Sequence, residues 1–400
     1  MAAPIQTLLL STLYPSSVRP GHGIFVETRL RELLKDGQVA TKVIAPVPWF
    51  PSANPRFGDY ATLARTPARE QHNGIDVLHP RFLVAPKVGM NLAPFALAAT
   101  ALRSAKKLLA EGFDFDLIDA HYFYPDGVAA AIVARALGKP LFITARGSDV
   151  NLIAQHAWPR RMMLWAARQA TGCIGVSQAL VNAMRQLGMP ADRLHMLRNG
   201  VDLDRFQAMD RADARARIGH QGQPLLLSVG NLIALKGHDL CIDALALLLP
   251  QHPGARLLVV GVGPDSDKLT RYATDQGVAD RVHLVGAVPN AELPYWYSAA
   301  DCLLLASSRE GWPNVLLEAM ACGTPVVASN VGGIPEIVSS PRLGRLLPQR
   351  DAKTLAASIH EVLLAALDRS AVRAHAQSFG WQETSQRQHS LFAHTAQSAG

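Results

Sequence analysis

The stretch SREGWPNVLLEAMACGTPVVAS, Ser308–Ser329, carries the reading of this chain. An apolar β-type run, CLLLASS, leads into it. The chain then turns at Gly311, and Pro313 suits the first helical position, where its missing N–H costs nothing. NVLLEAMAC reads as a helix, Gly323 as its left-handed stop, and PVVAS as the next strand. A strand, a tight turn, a short helix and a β-branched strand make one unit of a parallel α/β sheet. Two acids, Glu310 and Glu318, stand seven residues apart within it, one before the helix and one inside it.

Such units recur along the whole chain. The first half has the apolar runs IQTLLLST, ATKVIAPV, IDVLHP, FDLIDAHYF, PLFITAR, GCIGVS and RLHMLRNG; the second has PLLLSVG, RLLVVGVG, VHLVGAV, CLLLASS, PVVASN and GRLLP. Segments of helical spacing separate them. Four hundred residues exceed one ordinary core. Two sets of about six strands therefore predict an α/β protein of two doubly wound, Rossmann-like domains. The break falls in the polar segment Arg198–Pro224, giving a first domain over 1–200 and a second over 201–375.

Composition narrows the class. Apolar residues make up 49% and charged residues 18%, as in a packed enzyme rather than a disordered chain. Lys plus Arg is 39 against 32 for Asp plus Glu, a net charge of +7. That excess suits anionic substrates or an anionic membrane face; with no basic block or nucleic-acid motif, nucleic acid is not expected as a partner. The N-terminus reads as a first strand rather than a signal peptide, and no apolar run is long enough to span a membrane. Cys173, Cys241, Cys302 and Cys322 stand singly in apolar runs, without metal or redox spacing. They read as buried, reduced thiols of a cytoplasmic protein.

Ligands of open α/β sheets bind beyond the carboxyl ends of the strands. The loops in that position are TLYPSSVRPGHGIF, HYFYPDG, RGSD, GNLIALKGH, GVGPDSDKL and REGWPN. Two facing sets of them imply a cleft. At the helix following REGWPN, the first free N–H groups form a phosphate site. Glu318, one turn beyond Asn314, is placed to hold a ribose diol, and Glu310 projects past the phosphates toward a head group. Spacing alone equally allows a solvated helix acid and an ordinary loop acid. The flanks VLL and AMA speak against a merely solvated Glu318.

The segment SSREGWPNVLLEAMACGTPVVASNVGGIPEIV closely resembles the signature of the family 4 retaining glycosyltransferases, which have the GT-B fold. The loops YPSSVRPGHGIF, HYFYPDG, RNGVD, VGNLIALKGH, GVGP and YSAADCLLLASS agree in order, so the likeness covers most of the chain. The opening stretch and VIAPVPWFP resemble exopolysaccharide and teichuronic-acid-type members. This likeness implies a nucleotide-diphosphate-sugar donor, such as a UDP- or GDP-sugar, on the second domain. It implies a saccharide or lipid-linked acceptor on the first, and no bound metal or other cofactor. By position, Glu310 meets the donor sugar, Glu318 the ribose, and the backbone after Gly311, at Asn314 and Val315, the diphosphate. Lys236 neutralises the departing diphosphate, Gly23 lets the N-terminal loop approach it, and His121 faces the reacting sugar. The C-terminal helix, 376–400, is expected to cross back to the first domain.

Two departures stand out. Asn231 occupies the place of the family's usual arginine, leaving Lys236 without a cationic neighbour, and Arg146 stands where a histidine is common. Arg146 is a candidate for the missing charge. Asp114–Asp116 resembles a metal-binding Asp-x-Asp but precedes its strand, at the end away from the site. GVG at Gly261–Gly263 lacks the third glycine of a dinucleotide fingerprint, which disfavours a dehydrogenase. The rivals are a nucleotide-sugar epimerase or hydrolase on the same fold, and a noncatalytic membrane-surface protein. Two segments allow two readings, helices packed on the sheet with their arginines in water or peripheral contact with anionic lipid: Ala157–Gln169, where Trp158, Met162 and Trp165 accompany Arg160, Arg161 and Arg168, and the segment Lys87–Lys107.

Overall fold

The computed structural model describes residues 3–84, 89–221 and 223–399. They form two compact units. One takes the residues up to Arg198 together with those from Gln382 onward; the other runs from Asn199 to Trp381.

The first unit holds strands β1 (Ile5–Leu10), β2 (Val39–Ile44), β3 (Val47–Pro48), β4 (Arg69–His72), β5 (Ile75–Leu78), β6 (Arg81–Phe82), β7 (Leu117–His121), β8 (Leu141–Ala145), β9 (Gly172–Gly175) and β10 (Leu194–Met196). Eight of them form one sheet, in the order β10-β9-β8-β7-β1-β2-β5-β4, and β3 pairs with β6 in a separate ribbon. The central strands β1, β7 and β8 are Leu/Ile-rich and almost wholly buried, as strands covered by helices on both faces must be. The sheet is larger than the six strands expected, and it is not wholly parallel. Strand β4 joins antiparallel to β5 through Asn73-Gly74, both at positive φ, 49° and 79°. That is the mirror-image turn a two-residue hairpin needs. Its sequence, REQH, is polar with half-exposed positions because it lies on the sheet edge.

The helix Trp381–Ala399 closes this unit. Phe392, fully buried, lies 5.0 Å from Phe142 and joins Leu33, Leu117, Ile174 and Leu197 in one core. The preceding helix, Arg369–Gln377, stays with the second unit, where the Arg369 guanidinium donates to the Ala300 and Ser298 carbonyls.

The second unit holds β11 (Leu225–Val229), β12 (Arg256–Val260), β13 (Val282–Gly286), β14 (Cys302–Leu305), β15 (Val326–Ser329) and β16 (Gly344–Leu347). They form a single parallel sheet in the order β13-β12-β11-β14-β15-β16. The order reverses between β11 and β14, and in the first sheet between β1 and β7. Such reversals leave a crevice beyond the strand ends where ligands bind.

The four cysteines are buried and free. Among the described residues no helix is long and apolar enough to cross a membrane. In helix Ala157–Gln169, Met162 and Met163 are buried while Trp158 is 47% exposed. Met162 therefore belongs to the interior rather than to the amphipathic face expected of it. The arginines and Trp158 remain outside, since each third or fourth residue turns inward. Lys87 lies outside the described residues.

Candidate active site

The loops after β11 and β14 meet at the second sheet's reversal point. After β14 the chain runs through Ser307 and Glu310 to the helix Asn314–Ala321. Pro313 is the residue before the helix, with φ −81° and ψ 98°, not its first residue as expected. Its fixed φ still directs the chain in. The N–H groups of Asn314 and Val315 lie ahead of any intrahelical acceptor and form the positive end of the helix dipole. The Asn199 side-chain amide donates to Asn314 Oδ1 at 3.4 Å, and Trp312 Nε1 donates to the Asn199 carbonyl at 3.0 Å. This anchors the helix start to the RNGVD loop.

Glu310 is not a free acid. Its Oε1 accepts from Lys236 Nζ at 2.6 Å and from the buried Ser307 hydroxyl at 2.7 Å. Gly332, at φ 54°, lies so close behind that a Cβ there would sit 1.8 Å from the Glu310 carbonyl oxygen. Glycine is thus required at position 332, where the Gly332-Gly333 segment packs on the acid's backbone.

Lys236 rides on a short loop fixed by His238. The His238 Nε2–H donates to the Asn231 carbonyl at 3.2 Å, so Nδ1 accepts from the Ser228 hydroxyl at 3.0 Å. Burial holds this imidazole below its usual range, hence neutral. Asn231 itself is exposed and contributes its carbonyl to this loop.

Glu318 lies one turn into the helix. Tyr297, fully buried, donates its hydroxyl to Glu318 Oε2 at 2.7 Å. Burial pushes the Glu318 carboxyl up to about 7, a rise opposed by the Tyr297 bond and by Arg205. A carboxylate held here by one bond to Oε2 keeps acceptor capacity for further donors such as hydroxyl groups.

In the first unit, His121 ends β7 and is 1% exposed. Its Nε2–H donates to Asp119 Oδ2 at 3.2 Å, and its Nδ1 accepts from the Arg146 guanidinium. Burial drives its pKa down to about 4, so it is a neutral ring with both nitrogens engaged. The support continues inward. Gln388 of the C-terminal helix donates to Asp119 Oδ2 at 3.2 Å and accepts from Arg29 Nε at 2.8 Å. Arg146 also lies 5.2 Å over the Phe25 ring. Tyr122, next in the chain, sits at φ 81°, a strained value for a bulky residue and one that marks functional turns.

Buried carboxylates pin the surrounding loops. Asp126 accepts from the Thr12 N–H at 2.6 Å and the Thr12 hydroxyl at 3.0 Å. Asp149 accepts from the N–H groups of Phe123 at 2.7 Å and Gly147 at 2.8 Å. Gly23, at φ 67°, lies where a Cβ would fall 2.3 Å from the Leu13 carbonyl carbon, so the backbone packing there requires glycine. Asp114 pairs with Lys139 at 2.8 Å and Asp116 accepts from the Gln6 N–H at 2.7 Å, which makes both structural.

Two family models match the sequence: Glycosyltransferase Family 4 over residues 61–205 and Glycosyl transferases group 1 over 210–379. The putative teichuronic acid biosynthesis glycosyltransferase TuaC of Bacillus subtilis (strain 168) is 31% identical over 363 residues, covering 89% of this chain and 88% of that protein. A D-inositol 3-phosphate glycosyltransferase of Catenulispora acidiphila is 33% identical over 309 residues, covering 71% and 73%.

The chain is a family 4 glycosyltransferase.

Its fold is GT-B. The sucrose-phosphate synthase of Thermosynechococcus elongatus superposes with a TM-score of 0.78 at 22% identity, covering 98% of each chain. The Anabaena HepE protein, solved in complex with UDP-glucose, superposes with a TM-score of 0.72 at 24% identity, covering 98% of this chain and 99% of that one.

Within this glycosyltransferase, the predicted residues of the second unit divide into two groups. Lys236 and Glu310 touch each other, and Asn314, Val315 and Glu318 share one helix. In the first unit His121 and Arg146 touch each other. Sequence reasoning missed Ser307, Tyr297 and His238, which hold Glu310, Glu318 and the Lys236 loop respectively. Each lies inside a quoted loop, ASS, YSAAD or LKGH, yet nothing in the spacing marks it. It also missed Asp119 and Gln388, whose pairing joins residues 269 positions apart.

Proposed function

We propose that the enzyme transfers a hexose, with retention of anomeric configuration and without a metal ion, from a UDP- or GDP-sugar to a saccharide or lipid-linked acceptor. The donor belongs to the second unit and the acceptor to the first. One observation carries this reading: Glu310, Lys236 and the helix start at Asn314 converge at the sheet's reversal point, with Glu318 one turn behind. Glu318 holds the ribose, the N–H groups of Asn314 and Val315 together with the turn at Gly311 hold the diphosphate, and Glu310 holds the sugar. As the anomeric C–O bond breaks, its electrons leave with the diphosphate. Lys236 and the helix dipole meet that growing charge. Asn231 supplies loop geometry in place of a second cation. In the first unit His121, fixed as a neutral ring by Asp119, and Arg146 line the acceptor side, and Gly23 shapes the loop that follows β1.

The Anabaena neighbour's UDP-glucose complex supports a nucleotide-sugar donor of this kind. The likeness to TuaC, a putative teichuronic acid biosynthesis glycosyltransferase, supports a saccharide acceptor. We further infer peripheral contact with an anionic membrane at the cytoplasmic face, through exposed Trp158 with Arg160 and Arg161. The test of function is a screen of UDP- and GDP-sugars with and without acceptor, followed by product mass and anomeric assignment. Free sugar released equally well without any acceptor would favour a hydrolase instead. For the membrane, sedimentation with anionic vesicles should fall when Arg160 and Arg161 become Glu; absence of binding by the unaltered enzyme would end that reading.

A further inference from the structure

The helix Ile24–Leu34 buries a guanidinium that the reaction described above does not use. Arg29 is 2% exposed. Leu33, one turn along the same face, belongs to the apolar core with Leu117, Leu197 and Phe392. A leucine or methionine would suit such a place, because a charge taken out of water is stable only with well-placed partners. Arg29 has them. Its Nη1 donates to the Leu197 carbonyl at 3.1 Å and its Nε to Gln388 Oε1 at 2.8 Å. Gln388 is buried too, and its Nε2 donates to Asp119 Oδ2 at 3.2 Å. The amide is oriented by these neighbours, since a guanidinium only donates and a carboxylate only accepts. Burial lowers the Arg29 pKa to about 10, a fall opposed by Asp119, so Arg29 is a cation at neutral pH.

Asp119 stands between this cation and His121. Its Oδ2 receives both the Gln388 amide and the His121 Nε2–H, each at 3.2 Å. Among the described residues its Oδ1, also buried, has no hydrogen-bond partner. A buried carboxylate short of donors needs positive charge nearby. One source would be His121 itself, which could take a proton and form a charged pair, the usual effect of an acid on an adjacent imidazole. The other face of the ring opposes this. The Arg146 guanidinium donates to His121 Nδ1, so that nitrogen must keep its lone pair. Arg146 is shared between Asp119 and Asp149, whereas Arg29 reaches Asp119 through a single amide. The charged groups facing the ring are thus Asp119 on its own strand, Arg146 after β8 and Arg29 from the helix Ile24–Leu34. Burial is the main cause of a ring pKa of about 4; Asp119 opposes the fall, and Arg146 and Arg29 add to it.

We propose that Arg29 is a positioning residue of the site: through Gln388 it supplies the counter-charge of Asp119, and so fixes His121 as a neutral ring that carries its proton on Nε2. The proposal rests on the role given to His121 above and adds the residue that sets its charge and tautomer. Arg29 touches no substrate; it acts two hydrogen bonds away from the ring.

The test uses the full-length enzyme and Arg29→Met, which keeps an unbranched apolar stem and removes the charge. Imidazole resonances, with the His121 signal assigned by its loss in His121→Gln, give the ring's pKa and tautomer. In the unaltered enzyme His121 should titrate at about 4 and carry its proton on Nε2. In Arg29→Met its pKa should rise to about 5 or higher, because Asp119 then draws a proton onto the ring. The variant's kcat for sugar transfer should fall at least about twofold further at pH 5 than at pH 8, with affinity for UDP or GDP unchanged. Arg29→Lys keeps the charge and should hold the ring pKa close to that of the unaltered enzyme. A merely structural Arg29 predicts the same fractional loss at every pH, and an unmoved ring pKa in Arg29→Met overturns the proposal. Should Arg29→Met not fold, the unaltered enzyme decides: a His121 ring that titrates at about pH 6 or above, or that carries its proton on Nδ1, overturns it equally. A ring pKa that rises while kcat stays level at every pH upholds Arg29 and strikes the role of His121 in the function proposed above.

Discussion

Replacing Glu318 by Gln should stabilise the free enzyme and cripple donor binding, both in a pH-dependent way. In the free protein burial raises this carboxyl from 4.5 to about 7. Holding it ionised above pH 7 therefore costs up to about 3 kcal/mol, and less where water reaches it. An acid whose folded pKa is raised binds its proton more tightly when folded. Stability is thus lost as pH rises from about 4.5 to 7, and the loss is constant above 7. Gln keeps the shape and can still accept from Tyr297, but carries no charge. At pH 8 the variant should melt several degrees higher than the unaltered enzyme, at about 2–4 °C per kcal/mol; near pH 4.5 the two should converge. Binding runs the other way. A ribose diol donates to a carboxylate through charge-assisted bonds worth about 1.5–3 kcal/mol, so affinity for UDP or GDP should fall by about 10- to 100-fold. The unaltered enzyme should lose nucleotide affinity below pH 7, by about tenfold at pH 6, and the variant should lack that slope. Calorimetric titration with scanning calorimetry at pH 5, 6, 7 and 8 measures all of this. Equal melting temperatures at pH 8, together with undiminished nucleotide affinity, would refute the argument and return Glu318 to an ordinary helix acid.

The neighbouring residues make sharper demands. Because Glu310 neutralises Lys236 in the free enzyme at 2.6 Å, Glu310→Gln should leave affinity for free nucleoside diphosphate equal or greater while turnover drops by about 100-fold or more; a loss of diphosphate affinity matching that of Glu318→Gln counts against the assignment. If helix dipole and lysine serve the leaving group as proposed, activity should survive EDTA, and loss on chelation restored by magnesium or manganese would overturn the metal-free reading. Gln388→Leu leaves Arg29 and Asp119 without their shared amide, so the enzyme should lose about 1–3 kcal/mol of stability; its kcat should fall while nucleotide affinity holds, and an unchanged kcat would show that the buried chain does not position His121.

Much of the fold could be read from periodicity because buried parallel strands announce themselves. IQTLLL, LFITA, LLLSV and CLLL are continuous apolar runs because helices cover both of their faces. Strand β4 escaped because REQH sits on an edge, where pairing is set by the turn and not by burial. The signal was present all the same: Asn73-Gly74 is a strong short-range hairpin cue. Similarly, Pro313 was placed one position too deep because helix boundaries depend on φ and ψ, which composition constrains only loosely.

The site was legible as residue types and opaque as partnerships. A sequence shows that Glu310 precedes a helix and that Lys236 follows another strand 74 positions earlier, but not that they are paired. That pairing changes the argument about the missing arginine. With Asn231 in its place, Lys236 is not left as a bare cation waiting for phosphate. It is held by a carboxylate and by the His238-fixed loop, at low cost because the pair is part-buried and hydrogen-bonded by Ser307. On the reading proposed above, a donor's diphosphate would compete with Glu310 for Lys236, and Glu310 would then be free to meet the sugar. The same logic explains why Arg146 does not simply replace the lost arginine. Its guanidinium donates to His121 Nδ1 and lies over the Phe25 ring, so on the reading proposed above it would act by orienting that neutral imidazole.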